Sequence, residues 1–372
     1  MKIEPFLVER FMSAYEHKAE MNLAETCVDP FSLHEFLAFV GREDFLKNLE
    51  GIKMTYGFVE GSPELREGIS GLYDSVEPEN VLVTGGAIGA NYLAFYSLVE
   101  PGDKIISVFP AYQQLYSVPR SLGARVELLD LHEENKWSLD LDRLAELADD
   151  RTKLIVVNNP HNPTGSLITG NDLKKVCAIA EEADAFLLCD ETYRGLYINP
   201  EDFVPSAVDL SDKAIVTGSF SKAFSLAGLR LGWVAANSQV IKECKAHRDY
   251  TTISNSVIDD ALGTLAITHA DRIYERSLNI VRRNHHVLSN WIDDEPLIEW
   301  VPSRAGSIAL VRHKLKMTSE EICLRLIEDG RTLLIPGSCF GMESHLRIGY
   351  GCKTETLEKG LQRFKDFLAH YY

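Results

Sequence analysis

The stretch Ser219-Phe220-Ser221-Lys222-Ala223-Phe224-Ser225-Leu226-Ala227-Gly228-Leu229-Arg230-Leu231-Gly232-Trp233 decides how this chain is read. Lys222 stands among small and hydroxyl residues, and a Gly-Leu-Arg-Leu-Gly run follows it. A lysine that is to form an imine must first lose its proton. It therefore needs a setting that depresses its pKa, by burial or by nearby cations. Ser219 and Arg230 offer a hydroxyl and a permanent cation, a pair suited to a phosphate. Alone, the tetrapeptide is short, and a lone loop lysine is usually a solvated one. Three further stretches decide between these readings.

Upstream, the apolar run Leu154-Ile155-Val156-Val157 reads as a buried strand and ends in Asn158-Asn159-Pro160-His161-Asn162-Pro163-Thr164-Gly165. A Pro/Gly turn after a strand is common, but the C-terminal edge of an open α/β sheet is also where ligands bind. Phe186-Leu187-Leu188-Cys189 is a second apolar strand, ending in Asp190-Glu191-Thr192-Tyr193. A carboxylate at a buried strand end is costly unless a cation compensates it. Leu82-Val83-Thr84 leads through Gly85-Gly86 into a helical pattern with Ala87, Ile88 and Asn91. The free amides and dipole of such a terminus make an anion site.

The glycine turn, N-P-x-N-P-T-G, D-E-x-Y, S-x-S-K, G-L-R and a late His345-Leu346-Arg347-Ile348-Gly349 stand in one order. From about residue 50 to about 350 that order resembles the class I/II aminotransferases, enzymes of fold type I that use pyridoxal 5′-phosphate. The resemblance implies roles. Lys222 is the Schiff-base lysine. Gly86, Ala87 and Ile88 cradle the phosphate with Ser219 and Arg230, although Ile88 departs from the polar residue usual there. Tyr112, in Phe109-Pro110-Ala111-Tyr112, stacks on the ring. Asn162 and Tyr193 reach the phenolic oxygen, and Asp190 pairs with the pyridine nitrogen. Arg347 grips the substrate carboxylate, with Asn162 beside it. Tyr56, in Tyr56-Gly57-Phe58-Val59-Glu60-Gly61, reaches across a homodimer interface to the partner's phosphate. The implied activity moves an amino group from an L-amino acid to a 2-oxo acid by a ping-pong mechanism.

The same site chemistry serves lyases, decarboxylases, racemases and cyclising or oxidising enzymes. Asn22-Leu23-Ala24-Glu25-Thr26-Cys27 bears a weaker resemblance to capreomycidine synthase-like members, which cyclise a hydroxylated arginine. Glu25, assigned to the substrate, suits a cationic side chain. Asp29 reads as a solvated loop residue. A ligand-sensing transcription regulator of this fold would carry a helix-turn-helix segment, for which the first 50 residues leave no room.

Strands are expected at Val81–Thr84, Lys104–Val108, Arg125–Leu129, Leu154–Asn158, Phe186–Asp190, Ala214–Thr217 and Gly228–Ala235. Alternating with helices, they predict an α/β fold: a mostly parallel seven-stranded sheet flanked by helices. Beyond 296, short strands mixed with helices at Ser319–Asp329 and Thr354–Tyr371 predict a smaller α+β domain. The chain divides into an arm and substrate-mouth segment (1–45), a large cofactor domain (46–285) and a small C-terminal domain (286–372).

At 372 residues and a net charge of −17, the chain suits neither nucleic acid nor anionic membranes. Seven scattered cysteines read as reduced thiols, and eleven histidines show no metal spacing. Without a signal sequence or a membrane-length apolar run, the expected location is the cytoplasm.

Overall fold

Strand residues alternate between two apolar faces, and that alternation explains the architecture. In the computed structural model, which describes residues 2–371, Met21–Asn22 (β1) is followed by Val81–Thr84 (β2), Lys104–Phe109 (β3), Arg125–Asp130 (β4), Thr152–Asn158 (β5), Phe186–Asp190 (β6), Ala214–Ser219 (β7) and Gly232–Ala235 (β8). Val83, Ile106, Ile155, Leu187, Val216 and Trp233 enter one core, and Leu82, Ile105, Val156, Leu188, Ile215 and Val234 enter another. A sheet apolar on both faces must be covered on both. The helices Gly86–Leu98 and Ser238–Arg248 cover one side, and Gly170–Glu182 and Val257–Thr268 the other. Each aliphatic side chain fully buried in this way contributes about 1.5–3 kcal/mol.

Spatially the sheet runs β2-β8-β7-β6-β5-β3-β4. Pairing is parallel among β3 to β7, while β8 runs antiparallel to β7 and β2. The expected seven-stranded, mostly parallel sheet is therefore present. The parallel strands send their C-terminal ends to one edge, where the motifs lie.

Ile298–Trp300 (β9), Ile308–His313 (β10), Thr332–Leu333 (β11), Ile335–Pro336 (β12) and His345–Gly349 (β13) build the C-terminal part. Four of them form the antiparallel sheet β12-β13-β10-β9, and β11 pairs in parallel with β1. A third core holds Leu310's neighbours Ala309 and Val311 with Ile348 and Phe364. Val8 and Phe11 of the N-terminal helix Leu7–Tyr15 join it.

Two local expectations need correction. The last strand of the large sheet starts at Gly232 rather than Gly228, because Ala227–Leu229 forms a tight 3₁₀ turn and Arg230 has a left-handed φ of 50°. Asp29 is no solvated loop residue: its carboxylate meets Arg276 at 2.9 Å. Among the described residues no helix is long and apolar enough to cross a membrane.

Candidate active site

Neighbouring strands set neighbouring side chains at the same height. Asn158 of β5 is in register with Asp190 of β6, and Asp190 with Thr217 of β7. Their ends open into a cavity of about 450 Å³ that also receives Ala87, Ile88, Tyr112, Asn162, Tyr193, Ser219, Lys222, Arg230, Arg347 and Glu25. Residues spread over more than 300 positions of sequence thus meet in one place.

Asp190 is only 5% exposed, and its carboxylate is held from two sides. Oδ1 accepts the Thr192 N–H at 3.0 Å, and Oδ2 accepts Asn91 Nδ2 at 2.8 Å. Asn91 is fixed in turn, because its Oδ1 accepts the Thr217 hydroxyl at 2.7 Å. Asn158 Nδ2 donates to the Asp190 carbonyl at 2.7 Å, and Asn158 Oδ1 accepts the Asn162 N–H at 2.7 Å. The Asp190 carboxylate is thus aimed by neutral donors only, with room for a cation in front.

Gly86, with φ of +79°, opens the helix Gly86–Leu98. A Cβ added there would stand 2.8 Å from Nη2 of Arg230, so glycine lets the guanidinium approach the turn. The Arg230 guanidinium donates to Ala227 O at 3.1 Å. Nearby, Ser219 Oγ accepts the Ser221 N–H at 2.9 Å. The first amides of this helix, the Ser219 hydroxyl and a guanidinium make an anion cradle. Ile88 is 38% exposed at its rim, and its carbonyl accepts Gln114 Nε2 at 2.6 Å.

The Lys222 amine donates to Thr26 Oγ1 at 2.6 Å and lies 3.6 Å from Cys27 Sγ. The sequence called for a depressed pKa. Burial does push that way, but Cys27, Tyr193 and Glu25 outweigh it, and the free amine is held above its ordinary value. The expected net depression is therefore corrected: burial and the Arg347 cation both pull downward but do not prevail. Burial works against the Glu25 charge. Lys222 and the Thr26 and Cys27 amides, which its Oε1 accepts at 2.8 and 3.1 Å, hold the carboxyl below its ordinary range.

Arg347, 3% exposed, donates to Asn162 Oδ1 at 3.2 Å and to the Ala24 carbonyl at 3.0 Å. Its Nε is buried with no partner, an open donor facing the site. Burial lowers its pKa. The Tyr112 hydroxyl donates to Glu9 Oε1 at 2.9 Å, and burial, then Glu9, pushes its pKa up. Tyr193 lines the cavity and is buried. Gly86 does not line the cavity itself but lies behind Arg230, and Tyr56 lies apart: it is 78% exposed and outside its own chain's cavity.

Several cavity residues carry no motif signal. Val8, Glu9 and Met12 come from the N-terminal helix, and Thr26 and Cys27 from the strap beside Lys222. Asn91 does carry a sequence signal, as the lone amide in the apolar helix Gly86–Leu98. His161 is buried beneath the site with Nδ1 2.8 Å from Thr164 Oγ1.

The family model for class I and II aminotransferases matches residues 43–364. Capreomycidine synthase from Streptomyces vinaceus is 29% identical over 368 residues, 99% of this chain and 93% of that protein. An aspartate aminotransferase from Sulfurisphaera tokodaii is 30% identical over 344 residues, 88% and 86% of the two chains. The crystal structure of a PLP-dependent aminotransferase from Streptococcus suis superposes with a TM-score of 0.97 at 41% identity, covering 100% of this chain and 99% of the other.

Proposed function

The chain belongs to the class I and II aminotransferases, enzymes that work with pyridoxal phosphate, and on that premise we propose that it moves an amino group from an L-amino acid to a 2-oxo acid in two alternating half-reactions. One observation carries this reading: Lys222, Asp190, Arg347 and the cradle residues Ala87, Ile88, Ser219 and Arg230 all face a single cavity.

The residues suit the cofactor by their chemistry. Its phosphate takes the amides of Gly86, Ala87 and Ile88, the Ser219 hydroxyl and Arg230. Asp190, aimed by Asn91 and Thr192, faces the pyridine nitrogen. Asn162 and Tyr193 serve the phenolic oxygen, Tyr112 covers the ring, and Lys222 is the bonding amine. The chemistry that the cofactor supplies when bound is an electron sink for the substrate's Cα.

Arg347 holds the α-carboxylate with its free Nε–H and a neighbouring N–H, and so fixes which Cα bond faces Lys222. Lys222 is the general base toward the Cα proton and the acid for its return. Thr26, 2.6 Å from its amine, holds that amine while it is free. Burial excludes water, so Lys222 would deliver the proton it takes from Cα to the cofactor's C4′ rather than lose it to solvent.

The active unit is a homodimer. Met54, Tyr56, Phe58 and Tyr250 are exposed aromatic or apolar side chains. An added Cβ on Gly57 would stand 3.1 Å from Val257, so the 54–58 segment adjoins the 250–257 turn. Asn255 Nδ2 donates to the Thr84 carbonyl at 2.9 Å, which ties this patch to the phosphate turn. Tyr56 can therefore serve a partner's site. Cytoplasmic location, and division of the chain near residues 45 and 285, complete the proposal.

The relative capreomycidine synthase, matched over 99% of this chain, supports a second reading, a lyase or cyclase acting on an arginine derivative. A half-reaction screen separates the two. The purified holoenzyme is mixed with single amino acids. Conversion to pyridoxamine phosphate with release of a 2-oxo acid supports transamination. Ammonia or a cyclic product without that conversion supports the second reading.

A further inference from the structure

Six charged side chains line the cavity: Asp190, Glu9, Glu25, Lys222, Arg230 and Arg347. Under the function proposed above, on which this inference rests, four of them have a partner in the loaded site. Asp190 faces the ring nitrogen, Arg230 the phosphate, Lys222 the cofactor's carbonyl carbon and Arg347 the substrate carboxylate. Glu9 and Glu25 are left over, and both are anions.

In the free site Lys222 attracts Glu25 and Arg347 feels both carboxylates, but loading the site gives those two cations other partners. Neither carboxylate joins an ion pair among the described residues. Glu9 accepts the Tyr112 hydroxyl, and Glu25 accepts the amides of Thr26 and Cys27. Those donors are neutral: they orient the carboxylates and leave the charge in place. Both line the same cavity as Arg347 and act on it electrostatically. Glu9 comes from the N-terminal helix at the cavity mouth, and Glu25 from the strap beside Lys222.

An acidic side chain entering here would meet two like charges. An uncharged one would cover the carboxylates without compensating them, and burying a carboxylate with no counter-charge is costly. A cationic side chain supplies the missing charge and makes charge-assisted hydrogen bonds. We propose that the amino-acid substrate carries a cationic side chain, an ammonium or guanidinium held between Glu9 and Glu25.

The test is equilibrium binding to the holoenzyme, read from the shift in cofactor absorbance. L-arginine is compared with its uncharged isostere L-citrulline, L-lysine with L-norleucine, and L-glutamate serves as the acidic probe. The basic member of each pair should bind at least about tenfold more tightly than its neutral isostere. In Glu9→Gln and Glu25→Gln that ratio should fall toward one. Glutamine keeps the acceptor oxygen for Tyr112 or for the two amides, so each variant should fold. Isosteres of equal affinity in the wild type, tighter binding of glutamate, or a ratio unmoved in both variants overturns the inference while leaving the proposed function standing. If no amino acid of any class shifts the cofactor spectrum, the proposed function falls and takes the inference with it.

Discussion

Asn91 Nδ2 stands 2.8 Å from Asp190 Oδ2, joining the helix that opens at Gly86 to the strand end proposed to face the ring nitrogen. The amide aims the carboxylate without neutralising it, so the negative charge stays available to a cation. Asp190→Asn should fold, because its amide oxygen can still accept the Thr192 N–H. It should lose most of the half-reaction rate, since a preorganised charge of this kind is worth about 2–4 kcal/mol. Asn91→Ala should lose less, because it frees the carboxylate rather than removing it. Single-turnover rates at saturating amino acid check the order. Near-normal turnover in Asp190→Asn would refute the role.

Gly86 and Gly85 make a matched pair for the phosphate cradle. Gly86 has φ of +79° and an added Cβ would press on Arg230, whereas Gly85 has φ of −74° and an added Cβ there meets nothing within 4 Å. Left-handed backbone costs a side chain about 1–2 kcal/mol, before any displacement of the guanidinium. Gly86→Ala should therefore bind the cofactor at least about tenfold more weakly. Gly85→Ala should bind it nearly as the wild type does. Equilibrium dialysis of the apoenzymes against pyridoxal phosphate measures both.

Much of this was legible in the chain because strand-end chemistry is local. Runs such as Leu154–Val157 and Phe186–Cys189 are apolar at every position, which marks strands covered on both faces, and the polar residues closing them fall at the sheet edge. Glu9 was not legible. Its place in the cavity depends on how the N-terminal helix docks, through Val8 and Phe11, on a core built mostly from residues after 280. Nor was the Lys222 pKa. It depends on Cys27 and Glu25, nearly 200 residues away, which with Tyr193 outweigh the burial that the local motif suggests. The start of β8 was misjudged because Gly228 to Leu231 is apolar enough for a strand. Only the left-handed Arg230 separates the turn from the strand.

His161 should make the fold acid-sensitive. Burial holds its imidazole down to about 4, from an ordinary 6.5. A histidine whose folded value lies below its unfolded value takes up protons on unfolding, so its contribution to stability is complete above about 6.5 and is lost as pH falls toward 4. His161→Asn keeps a polar atom near Thr164 and removes the titration. The gap in melting temperature between wild type and variant should shift against the wild type across that window. A gap that is flat with pH would contradict the assignment.

Tyr56, 78% exposed in its own protomer, is predicted to act in the partner's site. Tyr56→Phe and Lys222→Ala are each expected to be impaired as pure dimers. In a mixed dimer with a shared site, both lesions fall in one site and the other is intact. Mixing under conditions of proven subunit exchange should raise activity above the mean of the two. No gain would count against sharing.

The account rests on Lys222 as the amine that bonds the cofactor, and reductive trapping tests this most directly. The holoenzyme is treated with borohydride, digested, and its peptides are mapped by mass spectrometry. The account predicts a pyridoxyl group on Lys222, in the peptide containing Ser219-Phe220-Ser221-Lys222, and loss of the label in Lys222→Ala. A stoichiometric label on any other lysine, with Lys222 unmodified, would contradict it.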